Sequence, residues 1–190
     1  MTATAPRHDG DRIARLGLGI AAVVVTAQIA AHLVDFWALG LRSVLLDSAD
    51  EHSVFARLGT VAILACAIAT LMLGQRMLGL ACTWLFADAL FGIHEHIPHW
   101  TLIYIPVLAG VVGGYWLLSA SFAPAAQRLA RCALLLLVLS AAIHLLGPHL
   151  LALFGWGPSA WQYQVKIALK EATEIGGWIL LASGVYAANR

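Results

Sequence analysis

Apolar positions in this chain gather into six long runs separated by short polar or proline- and glycine-bearing joins, with no strand-like alternation. The runs predict helices over about 13–39, 54–74, 77–97, 102–122, 129–154 and 161–188. Each approaches or exceeds the roughly 20 residues that cross a hydrocarbon core. Pro98, Pro124 and the stretch 155–158 fall at joins, where a helix can stop without stranding backbone groups in lipid. Pro106 and Pro148 fall near helix ends, where either can kink its helix. The first run follows a polar start bearing Arg7, Arg12 and Arg15. It is longer than the roughly 7–15 apolar residues of a signal peptide, so it reads as a retained helix.

Composition agrees with this pattern. The chain is 61% hydrophobic and 11% charged, against about 25% charged in an ordinary soluble domain. A water-soluble core of this size could not bury so much apolar surface, so the bilayer is the expected solvent. The expectation is an all-α membrane protein, a single domain over 1–190 built as a bundle of six transmembrane helices. A net charge of +1 supplies no basic field, so no nucleic-acid partner is expected. Cys66, Cys82 and Cys132 lie in apolar stretches without CxxC spacing and read as buried free thiols.

Arginine placement sets the expected orientation. With the N-terminus inside, Arg7, Arg12, Arg15, Arg76, Arg128, Arg131 and Arg190 fall on inner segments, and only Arg42 and Arg57 fall outside. That positive-inside asymmetry predicts both termini in the cytoplasm. Trp37, Trp100, Trp156 and Trp161 then gather at the outer interface as an aromatic belt. The segment 40–53 is expected to lie along the outer membrane surface. The glycines at 110, 113 and 114 read as small residues for close helix packing.

This topology turns scattered polar residues into one cluster. All histidines but His8, and all acids but Asp9 and Asp11, fall in the outer half or in outer loops. Charge inside hydrocarbon is costly, so such residues usually face the bundle interior and carry function. Gln28, His32 and Asp35 share one helix face, as do Asp88, Gly92 and Glu95, and Ser140, His144 and Gly147. Lys166, Lys170 and Glu174 form a row on the last helix, with Glu171 beside it. Imidazoles and carboxylates converging from several helices are what a divalent metal, zinc by preference, would need. The expected ligands are His32, Asp35, Asp88, His94, Glu95 and His144. His94 and His96 point apart on a helix and act as a unit only if the helix has ended by Glu95. A proton or ion pathway would use the same groups, and so would a structural ion-pair network of Lys166 and Lys170 with Glu171 and Glu174. Asp47, Asp50, Glu51 and His52 read as a solvated loop.

The acidic loop 47–51, Asp88 with Ile93, His94 and Glu95, and Lys170-Glu171-x-x-Glu174-Ile175-x-Gly177 resemble a family of small bacterial six-helix membrane proteins. That family carries an Ile-His-Glu motif and a glutamate-rich last helix; Lys170 stands where a further acid is expected. The resemblance implies a bacterial inner-membrane location and a site at these positions. A looser similarity, through Ser140 and His144, is to membrane hydrolases of the ceramidase and progestin-receptor group, which hold zinc with three histidines. Lys170 near carboxylates also invites comparison with retinal proteins, which have seven helices rather than six.

The resulting expectation is an outward-facing polar pocket performing metal-assisted hydrolysis or transfer on a lipid-like or small amphiphilic substrate. The metal lowers the pKa of its bound water, Glu171 or Glu174 acts as general base, and Lys170 steadies developing negative charge. The alternatives are a transporter or channel-like protein for a proton, metal ion or small solute, and a non-catalytic scaffold or accessory subunit.

Overall fold

The computed structural model describes residues 7–41, 43–47 and 53–190. These form six α-helices: α1 (Arg7–Val34), α2 (Val54–Met72), α3 (Arg76–Phe91), α4 (Thr101–Ser119), α5 (Pro124–Leu153) and α6 (Trp161–Ala188). A wider π-type turn, Asp35–Leu39, extends α1, and a 3-10 turn, Ile93–His96, follows α3. Arg42, Asp50, Glu51 and His52, all assigned to the outer surface from sequence, lie outside the described residues.

Local chemistry sets the helix ends. Ser53 Oγ accepts from the Ala56 N–H at 3.1 Å and caps α2. Pro124 opens α5 at a position where its missing N–H costs nothing. Gly40 and Gly92 adopt φ values of 66° and 59°, a left-handed geometry that a Cβ would oppose. The stop at Gly92 corrects the expected third helix, which was to run to 97. With the helix over at Phe91, Asp88 and Glu95 no longer share a stripe.

Among the described residues four stretches are long and apolar enough to cross a membrane: Asp9–Leu39, Val54–Met72, Thr101–Ser119 and Pro124–Leu153. They indicate a membrane-embedded protein. The other two helices differ for separate reasons. α3 has 16 residues, about 24 Å at 1.5 Å per residue, against a core of about 30 Å. α6 carries Lys166, Lys170, Glu171 and Glu174 yet is the most enclosed helix, packed against α1, α2 and α5. Its charges are tolerated because its neighbours screen it from lipid.

Small residues bring α5 and α6 together. A Cβ on Gly177 would lie 2.8 Å from the Leu137 side chain and 3.2 Å from the Ala133 carbonyl oxygen. One on Gly184 would lie 3.1 Å from the Ala130 backbone nitrogen. The expected packing role of the α4 glycines is corrected in part. Gly110 and Gly113 face open space, and only Gly114 meets a neighbour, the Leu78 side chain. Towards one end of the bundle Tyr115 is fully buried. Its hydroxyl lies 2.5 Å from Thr70 Oγ1, 3.3 Å from Cys66 Sγ and 3.2 Å from Cys82 Sγ. Cys66 and Cys82 are buried and free as expected, whereas Cys132 is exposed on the flank of α5.

Candidate functional site

A cavity of about 290 Å³ lies between the helices, and every one of the six contributes to its wall. Its polar side is built from α6. Lys170 Nζ donates to Glu171 Oε1 at 2.9 Å and to Glu174 Oε2 at 2.7 Å, so one ammonium is shared by two carboxylates. Helical geometry makes this triple possible, because Glu174 is one turn beyond Lys170 and Glu171 is its chain neighbour. Ser140 on α5 donates to the Lys170 carbonyl at 3.1 Å and stands 3.5 Å from Glu174 Oε2, which fixes the register of α5 against the triple.

A second polar unit closes α3. The His94 N–H donates to Asp88 Oδ1 at 2.7 Å, and His94 Nδ1 lies 3.1 Å from both Asp88 oxygens. Nδ1 therefore carries the proton, and the carboxylate orients the ring. This dyad exists because the left-handed turn at Gly92 folds the chain back over the helix end, presenting the backbone of residue 94 to residue 88. Trp100 joins the dyad to α5. Its ring centroid is 5.3 Å from that of His94 and 6.1 Å from that of His144, and Tyr104 meets it edge-on at 5.1 Å. Of the polar lining, Gln28 is the most deeply set. It is 2% exposed, and its Oε1 is buried without a hydrogen-bond partner.

The structure thus brings together Asp88, His94, His144, Lys170, Glu171 and Glu174 around one cavity. It places the other expected ligands elsewhere. His32 and Asp35 are fully buried but belong to a separate cluster at the end of α1. His32 Nε2 donates to Gln164 Oε1 at 3.0 Å, and its Nδ1 lies 3.5 Å from Asp47 Oδ1. Asp35 Oδ1 accepts from the Ser43 N–H at 3.1 Å. These bonds hold the α1–α2 connection onto the end of α1 and tie that end to α6. Asp47 is therefore tied into the fold rather than solvated. Glu95 is exposed on the 3-10 turn, away from the cavity, because α3 ends before it. His96 is exposed, with Nδ1 3.1 Å from the Gly92 carbonyl oxygen, so although the helix has ended before Glu95, His94 and His96 hold separate partners.

The six expected ligands do not converge on one point. Both oxygens of Asp88 are engaged by His94, and His32, Asp35 and Glu95 are elsewhere. Among the described residues no group of three or more His, Cys, Asp or Glu side chains is placed to hold a metal.

Several lining residues escaped the sequence reading. Trp100, expected at the outer interface, packs between His94 and His144. Tyr104 lies one helical turn beyond Trp100, a spacing that could have marked both as one face. Gln164, the partner of His32, is a polar residue one turn before the buried Ala168, and that placement was its only signal. Compared with family models, curated proteins and solved structures, the chain matches none.

Proposed function

We propose that this is a six-span membrane protein, with both termini cytoplasmic, that takes an amphiphilic small molecule into a cavity open towards the outer side. There it acts on the molecule by metal-free acid–base chemistry, namely hydrolysis or group transfer. On the resemblance described above, its place is the bacterial inner membrane. The observation that carries the reading is one cavity in which an ion-paired triple and an Asp–His dyad face an apolar wall. An imidazole oriented by a carboxylate is a proton-transfer device, and such devices contribute roughly 10²–10⁴-fold in rate. In hydrolysis His94 would take a proton from the attacking water and return it to the leaving group, while Asp88 holds the ring. Ile105 and Leu145 line the cavity and are also among the exposed apolar side chains, which gives an alkyl tail a surface shared with lipid.

The opposite end of the bundle supports a one-sided site. Tyr115, Thr70, Cys66 and Cys82 fill it with mutually bonded side chains and bring no carboxylate, imidazole or amine there. The test is turnover of chromogenic long-chain esters and amides by protein in lipid nanodiscs, compared with His94→Ala and Asp88→Asn. Both variants should lose activity by about 10²-fold or more while retaining the fold. Turnover unaffected by either change would reject the acid–base assignment, and failure of every amphiphile to bind would reject the site.

A further inference from the structure

We infer that the ligand of this cavity bears a protonated amine with N–H donors, attached to an apolar tail. The inference rests on the cavity being an amphiphile site, as proposed above, and names the head group. Three observations combine. The first is charge. Three carboxylates, Asp88, Glu171 and Glu174, share the cavity with one ammonium, Lys170. With neutral imidazoles this leaves a formal excess of two negative charges, and a proton on one imidazole still leaves one. In a low-dielectric wall such an excess is strongly penalised unless a cation joins it or a carboxyl takes up a proton.

The second observation is the supply of acceptors. Lys170 engages one oxygen of each glutamate, Oε1 of Glu171 and Oε2 of Glu174. The other oxygen of each carboxylate has no hydrogen-bonding partner among the described residues. Gln28 Oε1 is buried in the same wall and lacks a donor. Of these three only Gln28 Oε1 is fully buried, and a buried acceptor without a donor is uncommon in folded proteins and calls for a partner. A ligand with two or three N–H groups would satisfy them, whereas a quaternary ammonium would supply charge without donors. The third observation is the aromatic lining of Trp100, Tyr104 and Trp178, whose ring faces attract a cation. Lys166, the other nearby ammonium, does not line the cavity. Its stem crosses α5 at Gly147 and its Nζ lies 5.6 Å from the Tyr163 ring centroid.

The experiment is a head-group series on one tail, read by intrinsic tryptophan fluorescence and thermal stabilisation of the full chain in nanodiscs of zwitterionic lipid. Tetradecylamine, tetradecyltrimethylammonium, tetradecanol and tetradecanoic acid are the probes. Empty nanodiscs correct for partitioning. The primary amine should bind about tenfold tighter than the alcohol and the trimethylammonium, and the fatty acid should bind weakest, since a charge-assisted hydrogen bond is typically worth a factor of this size. Gln28→Leu should weaken amine binding about tenfold and alcohol binding by a smaller factor, since the alcohol's single donor is uncharged. Gln28→Glu, which keeps the shape and adds charge, should strengthen amine binding. Equal binding of amine and alcohol, or preference for the fatty acid, overturns the head-group assignment while leaving an amphiphile site in place. Absence of binding by all four probes overturns both.

Discussion

At the scale of single residues, the Lys170 triple decides whether the polar wall stands on its own or needs an ion. A lysine among packed helices must be paired or lose its proton. Here two carboxylates at 2.9 and 2.7 Å provide the pairing without any metal. Lys170→Met leaves two carboxylates facing each other and should lower stability by roughly 3 kcal/mol. That is the low end for breaking a buried pair, because the three side chains keep 21 to 32% of their exposure towards the cavity. Changing Lys170→Met, Glu171→Leu and Glu174→Leu together should restore much of the loss, since apolar replacement of a whole ionic group is often neutral or better. Thermal unfolding in detergent, with and without a chelator, measures both effects. The penalty should be the same in either condition. A Lys170→Met penalty that grows on adding chelator would show a metal sharing the carboxylates and would reverse the metal-free reading.

At the scale of elements, what the sequence disclosed follows from the range of the forces involved. The six helices were legible because apolar runs and their breakers are local, and α6 was placed at 161–188, as observed. The triple was legible for the same reason, since residues 170, 171 and 174 lie on one helix and their spacing alone puts them together. The end of α3 was missed because Gly92 was read as part of a helical stripe, although a glycine two-thirds along a polar–apolar pattern can equally be a left-handed stop. That one residue separates Asp88 from Glu95 and creates the Asp88–His94 dyad. His32 and Asp35 were rightly placed on the buried face of α1 with Gln28. The partners that draw them away from the cavity, Gln164 and Ser43, come from α6 and from the connection after α1. Such long-range choices leave no periodic trace. Helix packing was misassigned for a related reason. Glycine-rich α4 looked like a packing face, but the close approach is between α5 and α6, where Gly184 lies within 3.1 Å of backbone. Gly184→Val should therefore force the two helices apart and cost about 1–3 kcal/mol or more, as overpacking does. Gly113→Val, facing open space, should change stability far less. Melting temperatures of the two variants in the same detergent check this, and comparable losses would place the critical contact elsewhere.

At the scale of the whole molecule, the arrangement of polar and sealed ends makes a claim about access. The cavity groups Gln28, Asp88, His94, Ser140 and Lys170 lie at one level of the bundle, and the buried Tyr115, Cys66, Cys82 and Thr70 lie nearer the opposite end. A protein that moves a solute must at some stage open that second level. An enzyme acting from one side need not. The two native thiols at the sealed level report on this directly, because Cys66 and Cys82 are fully buried and only the exposed Cys132 must be removed as background. In a Cys132→Ala chain, Ala141→Cys adds a thiol on the cavity wall. A membrane-impermeant maleimide should label position 141 from the outer side, and an amphiphile that occupies the cavity should block the reaction. Reporter fusions after Gln75 and Pro124 should read cytoplasmic and those after His99 and Gly157 external, which fixes the side from which labelling is judged. Cys66 and Cys82 should stay unlabelled from both sides, with or without ligand. Ligand-dependent labelling of either thiol from the cytoplasmic side would show that the Tyr115 seal opens, and the protein would then be a transporter rather than a one-sided enzyme.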